Sequence, residues 1–428
     1  MCRIFLHLAY ALSKFAITDP RVDMIDGADT AWLMISSVLV LMMTLPALGF
    51  FYAGLVQAKN ILSILIQCVA IGATVSLLWF AFVYSEVFSG TGPWLGNLGA
   101  VFLSEAGRNV VHPGTHVPET VFVMFQMTFA IITPALIIGA YVERIKFNAV
   151  LLFSALWLIV VYAPVAHWVW GGGFLASLGV MDFAGGIVVH LTAGIAAIVI
   201  AWVLGPRHDF PRGIHPPHAP WMVMVGASLL WVGWFGFNAG SALKAGADAG
   251  MTMLATHLAA ATATCVWIAI EWIKYGKPSL VGAVTGTVAG LATITPASGY
   301  VGPMGAVALG AAGGLVCYGA VLVVKRGVQV DDALDVLGVH GIGGALGSLL
   351  LPFATLIGVG GISLSRSAFD QFLIQAQGIV IVGLWSLVAT FVIVKLVQRF
   401  VGLRTSREDE IQGLDFACHG EAGYHTNI

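Results

Sequence analysis

The sequence predicts an all-α polytopic membrane protein of eleven transmembrane helices, arranged as two inverted five-helix repeats plus a C-terminal helix. Three observations predict it. The 428 residues are 59% hydrophobic and only 9% charged, against about 25% charged in soluble domains, and the mean hydropathy is +0.93. Eleven apolar runs are each long enough to cross a bilayer, which takes about 20 residues. Lysine and arginine gather in alternate connections between those runs.

The runs fall at about 30–54, 61–85, 119–140, 148–169, 185–204, 219–240, 250–273, 279–297, 302–324, 336–357 and 371–398. The last is long and is expected to tilt or to continue past the bilayer. Lys59, Arg144, Lys146, Arg207, Arg212, Lys274, Lys277, Lys325 and Arg326 lie in alternate loops, and Lys395, Arg399, Arg404 and Arg407 at the C-terminal end; the opposite loops hold only Arg108, Lys244 and Arg366. Thirteen against three marks the basic side as cytoplasmic, with the N-terminus outside and the C-terminus inside, in a plasma (inner) membrane. An odd number of spans requires the same result.

Residues 1–25 form an N-terminal extension or a signal segment. An apolar stretch follows Arg3, but Lys14 interrupts it and no Ala-x-Ala site follows. The membrane domain is expected over 26–400 and a cytoplasmic tail over 401–428. The five cysteines show no paired spacing and read as small hydrophobes. A net charge of -2 leaves no basic footprint for nucleic acid. The 52 glycines suit helices packed closely in lipid.

Two histidines sit at matching places in strongly apolar runs. His190 lies in GIVVHLTAGIAAIVIAWVL and His340 in DVLGVHGIGGALGSLLLPF. An ionisable group in such a run marks a substrate or proton path. Each occupies a matching place in the fifth and tenth spans. The first and sixth spans also resemble one another, ending GFFYAGLVQAKN (Gly49 to Asn60) and GWFGFNAGSALKAG (Gly233 to Gly246). Repeats of five helices must be inverted, and inverted repeats place a site at their interface near the midplane.

The stretch Asp182-Phe183-Ala184-Gly185-Gly186, followed by His190, Ala193-Gly194, Ala197 and Arg207, resembles the signature of the Amt ammonium transporter family. Further motifs match in order: FQMTFA (Phe125 to Ala130), HWVWGGG (His167 to Gly173), GKPSL (Gly276 to Leu280), TPASGY (Thr295 to Tyr300), VDDALDVLGVHG (Val330 to Gly341) and GLDFACHGEAGY (Gly413 to Tyr424). The resemblance spans roughly 26–428. The DFAGG form and the HxVWGGG tryptophan place it in the Amt branch rather than with the Rh proteins. Ile187 departs from the pattern, since many relatives carry Thr there.

The resemblance implies a substrate, ammonium, and roles for residues. Burying such a cation unpaired costs tens of kcal/mol in the Born limit. A pore can instead gather it at the outer mouth and carry the neutral form. Trp170, Phe125, Phe129 and Ser241 would form the external recruitment site. A cation over an aromatic face gains about 0.5–2 kcal/mol, and Ser241 could accept a hydrogen bond that K⁺ cannot donate. Phe129 and Phe237 resemble a stacked gate that strips water. His190 and His340 resemble twin pore histidines; apolar surroundings disfavour their charged forms, so the two can share one proton as opposite tautomers. Asp182 suits an N-cap that supports the mouth indirectly. Asp332 and Asp335 read as caps or cytoplasmic contacts. The proline-rich loop with His208, His215 and His218 reads as a rigid, solvated connector.

No metal or other cofactor is expected: two histidines without a neighbouring carboxylate or cysteine make a poor metal site. No nucleophile–base arrangement points to an enzyme. The expected partners are ammonium or ammonia, membrane lipid, two further copies in a homotrimer, and a PII-type signalling protein under the tail; no nucleic acid is expected. The alternative is an ammonium sensor with little flux, signalling through its C-terminal tail.

Overall fold

The computed structural model describes residues 25–208, 210–211 and 215–424. The expectation of a signal segment or extension over 1–25 therefore falls almost wholly outside the described residues, as does Arg212. The described residues are helical, with two isolated β-bridges and no extended strand.

Among the described residues, ten helices are long and apolar enough to cross a membrane: α1 (Gly27–Leu55), α2 (Ala58–Phe88), α3 (Glu119–Tyr141), α4 (Phe147–Leu178), α5 (Gly186–Leu204), α6 (Pro220–Gly240), α7 (Ala247–Tyr275), α9 (Pro303–Val328), α10 (Leu337–Ala354) and α11 (Ala368–Phe400). The eighth expected span is α8 (Leu280–Ile294), a shorter apolar helix of 15 residues. The run 279–297 overstates it because hydropathy does not register that Thr295 and Pro296 begin a turn. At 1.5 Å per residue, the 33 residues of α11 exceed the roughly 30 Å hydrocarbon thickness, so it extends beyond it or tilts.

Local chemistry sets where helices start and bend. Asp26 caps α1, accepting from the Asp29 N–H at 2.8 Å. Pro46 then disfavours helical backbone at Leu45, which sits at φ -120°, ψ 78°, and α1 kinks there. Ser279 caps α8 and Ser367 caps α11. Gly276, in the left-handed region at φ 74°, closes α7 by donating its N–H to the Trp272 carbonyl.

The most consequential irregularity is shared by α5 and α10. Each opens on a wide π-type turn, over Gly186–Leu191 and Leu337–Gly341, and these turns carry the buried His190 and His340. Such turns recur at functional sites because they re-aim side chains. The helices cross at glycines. Gly194 lies against the backbone of Gly341, and a Cβ on Gly344 would stand 2.8 Å from the His190 Cβ. Close approach here is what small residues permit in apolar surroundings. The matched positions place the fifth helix of one repeat against the fifth of the other.

The face holding the basic loops is fastened by ion pairs. Arg207 grips Asp331 with two bonds of 2.9 Å and reaches Glu143 at 3.0 Å. Buried Arg144 donates to the carbonyls of Ala140, Val142, Gly205 and Asp331. Burial alone would raise the Asp331 carboxyl, yet Arg207 and Arg144 hold it below the ordinary range. After α11 the tail turns under this face through α12 (Arg407–Gln412) and α13 (Leu414–His419). Arg404 pairs with Glu410 at 2.6 Å, Lys59 donates to the Glu410 and Ile411 carbonyls, and Asp415 accepts the Ser63 N–H at 2.8 Å.

Asp332 caps α10 by accepting the Leu337 N–H at 2.7 Å, and Asp335 pairs with Lys325 at 2.7 Å. Two of the loop histidines, His208 and His215, are exposed, as a solvated connector requires, and His218 is half-buried. His208 meets Arg407, and His218 touches the Val56 carbonyl and the Tyr424 hydroxyl. Proline content reports the stiffness of that loop, but not that the tail folds back onto it.

Candidate functional site

The face opposite the basic loops opens into a vestibule of ≈ 380 Å³, whose walls include Trp170, Phe129, Ser241, Gln126 and Phe183. Deeper lies a closed cavity of ≈ 10 Å³ lined by His190, His340, Trp234 and Phe237 with apolar neighbours. That is about the room one water-sized molecule requires. The two spaces are divided by a pair of rings: Phe129 faces the vestibule and Phe237 the inner cavity. Their centroids are 4.3 Å apart and their planes 29° apart.

Helical spacing builds each wall. Phe125 and Phe129, four residues apart on α3, fall on one face, with centroids 5.0 Å apart. On α6 and its C-cap, Trp234, Phe237 and Ser241 repeat at three and four residues. Ser241 donates its own proton to the Phe237 carbonyl at 2.9 Å, which leaves its oxygen lone pairs as acceptors. Trp170 ends the α-helical part of α4 just before Gly171, Gly172 and Gly173, and meets Phe129 edge-on at 5.8 Å. Phe125 differs from its three companions: it is buried behind Phe129 and is absent from the vestibule wall. Sequence motif alone gives the four residues equal standing, whereas packing leaves one of them as backing.

Asp182 stands under this mouth. Its two carboxylate oxygens accept four backbone N–H groups, from Gly185 (3.0 Å), Gly186 (2.6 Å), Ile187 (2.9 Å) and Val188 (2.9 Å). These are the donors left open at a helix start. The Asp182 carbonyl in turn accepts the Trp170 indole N–H at 2.9 Å. One residue thus fixes both the first turn of α5 and the Trp170 ring. Ile187, the departure from the family pattern, is fully buried.

The two histidines do meet. Their Nδ1 atoms are 3.3 Å apart, and their rings stack at 5.2 Å and 23°. With nitrogen facing nitrogen, one donates and the other accepts. The remaining nitrogens then have opposite character. His190 Nε2 is buried with no hydrogen-bond partner among the described residues. Trp234 lies flat against His190, at 5.4 Å and 24°, and donates its N–H to the Thr295 hydroxyl at 2.9 Å. Neither Trp234 nor Thr295 was singled out from sequence. The Trp234–Phe237 spacing of three on one helix is the signal that could have found the first; the second opens the TPASGY motif, but nothing local ties it to the histidines.

Three comparisons bear on this arrangement. The model of the Ammonium Transporter Family matches residues 31–424. A putative ammonium transporter of Methanothermobacter thermautotrophicus is 45% identical over 94% of this chain and 99% of its own length. An ammonium transporter of Aquifex aeolicus is 43% identical, with 94% of each chain covered. Among solved structures, a sensor Amt protein superposes with a TM-score of 0.85 at 27% identity, over 94% of this chain and 100% of that one. Saccharomyces cerevisiae Mep2 superposes with a TM-score of 0.83 at 31% identity, with 92% of each covered. A multi-pass helical membrane protein with this mouth, ring pair and histidine pair, matched along nearly its whole length, belongs to the ammonium transporter family.

Proposed function

We propose that the chain carries ammonium across the plasma (inner) membrane. NH₄⁺ enters the vestibule and rests against Trp170 and Phe129, with Ser241 accepting one of its N–H groups and Phe125 backing the Phe129 ring. It loses its proton near the Phe129–Phe237 pair. NH₃ then passes His190 and His340, which present one acceptor and one donor. The histidine pair also offers the proton a separate route.

One observation carries this reading. A polar, aromatic vestibule leads through a stacked ring pair to a closed cavity of ≈ 10 Å³ at two histidines in nitrogen–nitrogen contact. The inner space suits one small neutral hydrogen-bonding molecule. A hydrated Na⁺ would have to shed its shell without replacement ligands, and K⁺ donates no hydrogen bond to Ser241 or a histidine.

The test is uptake of labelled methylammonium in cells lacking their own transporters. Trp170→Leu is expected to weaken uptake, and His190→Ala or His340→Ala to abolish it or convert it to a leak that admits K⁺. Unchanged flux and selectivity in both histidine variants would refute the role of the pair. Currents from liposomes on solid-supported membranes decide whether charge crosses: uptake without an ammonium-dependent current excludes net charge movement. The assembly is read as a homotrimer with one pore per subunit, N-termini outside. A PII-type protein would dock beneath the tail face, where Arg404, Lys59 and Asp415 hold the tail.

A second reading, an ammonium sensor with little flux, draws on the similarity to a sensor Amt protein and on the folded tail. It predicts saturable ammonium binding with negligible methylammonium uptake.

A further inference from the structure

The rim of the vestibule carries a histidine–carboxylate pair with no part in the route above. His112 lies in the connection between α2 and α3, and its ring lines the same cavity as Trp170, Phe129 and Ser241. The ring is stacked on Phe122, with centroids 3.4 Å apart and planes 11° apart. Its Nδ1 is 2.8 Å from Glu119 Oε2. Glu119 opens α3, and its other carboxylate oxygen accepts the Tyr84 hydroxyl from α2.

The chemistry of that pair orients the ring. An ionised carboxylate only accepts, so Nδ1 must be the protonated nitrogen. In the neutral ring Nε2 then carries a lone pair. Glu119 is not part of the cavity wall, whereas His112 is, and Nε2 has no hydrogen-bond partner among the described residues. The outcome is an acceptor nitrogen on the vestibule side of the ring, with a negative charge behind it. Ser241, with its own proton directed to the Phe237 carbonyl, and the Gln126 amide oxygen are further acceptors on the wall.

We propose that His112, held in one tautomer by Glu119, is a further hydrogen-bond acceptor for the N–H groups of a small ammonium cation in the outer vestibule. Ammonium has four N–H groups to satisfy on leaving water, and one hydroxyl cannot replace its hydration. An imidazole backed by a carboxylate supplies both a lone pair and a favourable field. It also sorts cations, because K⁺ gains the field but not the hydrogen bond. Glu119 acts through the ring and is a positioning residue.

The inference rests on the transport reading, and the experiment separates the two. Labelled methylammonium uptake is measured against concentration for wild type, Trp170→Leu, His112→Phe, His112→Gln and Glu119→Gln. His112→Phe keeps a ring on Phe122 and removes both nitrogens. It is expected to raise KM roughly 3- to 10-fold, the worth of one such bond, with the maximal rate within about 2-fold. His112→Gln keeps an acceptor and is expected to recover most of the lost affinity. A merely structural pair would lower the maximal rate or the amount of protein and leave KM alone. An unchanged KM in His112→Phe, or a His112→Gln as weak as His112→Phe, overturns the proposal. If His112→Phe does not assemble, Glu119→Gln decides: it frees the ring to take the other tautomer, so a raised KM supports the proposal and an unchanged one overturns it. Wild-type protein that moves no methylammonium refutes the transport reading itself. Uptake sensitive to Trp170→Leu but indifferent to His112 refutes only this inference.

Discussion

Replacing Asp182 by Asn is a one-atom change with a calculable consequence. The carboxylate accepts four N–H groups, two on each oxygen. A carboxamide keeps one oxygen. Its NH₂ must face either the Gly185 and Gly186 donors or the Ile187 and Val188 donors, whichever way it turns. Two buried N–H groups then lack partners, at about 1–3 kcal/mol each, so the variant loses ~2–6 kcal/mol. Loss of a charge at a helix N-terminus acts in the same direction. Against a typical stability of ~5–15 kcal/mol, the melting temperature in detergent should fall by several degrees.

The same change should reach function. The turn that loosens carries the His190 N–H bond to the Gly185 carbonyl, and the Asp182 backbone holds Trp170. Methylammonium uptake should therefore fall along with stability. Thermal unfolding and uptake on the same preparation check both. An Asp182→Asn protein that melts within about a degree of wild type and transports normally would refute the fourfold cap as the element that sets this turn.

Three other outcomes follow from the geometry. Burial first, and then Asp335, pushes the Asp332 carboxyl up to about 7; the folded chain thus holds a proton that the unfolded chain releases near 3.9, and stability should fall by about 1.4 kcal/mol per pH unit across that window. A melting temperature that declines from pH 5 to 7, and declines less in Asp332→Asn, would bear this out; a flat wild-type profile would not. Gly344→Val would drive a side chain into the Gly186 carbonyl and the His190 Cβ, costing at least about 1–3 kcal/mol and parting the histidines, so normal uptake by this variant would contradict the crossing described. Asp331→Asn would weaken the partner of buried Arg144 and Arg207 at a cost approaching 3–5 kcal/mol; limited proteolysis should then cut the tail beyond Arg404 sooner than in wild type.

Much of the site was legible as residue types but not as a structure. His190 and His340 announce themselves because an imidazole in an apolar run has few structural uses, and their contact follows once the repeats are seen to be inverted. Phe129, Phe237, Trp170 and Ser241 were legible through family motifs. The separate station of Phe125 was not, because two phenylalanines four residues apart share a helix face and only the neighbouring helices determine which one meets the vestibule. Trp234 was hidden among the 13 tryptophans of the chain, most of which can be read as interfacial or packing residues.

The sequence by itself determined the things that depend on solvent and on local bonding. Partition into hydrocarbon is a sum over consecutive residues, so hydropathy locates the spans. Proline, glycine and capping side chains act within a few positions, so the kink at Leu45 and the starts of α1, α8 and α11 are readable in place. Only the tertiary structure decided what depends on residues far apart in the chain. The shortening of α8, the 3.3 Å approach of two histidines 150 positions apart, the tail folded beneath Arg207 and Asp331, and the tautomer that Glu119 sets on His112 are of this kind. Each is fixed by distance and direction between helices, to which a linear pattern of polarity carries no reference.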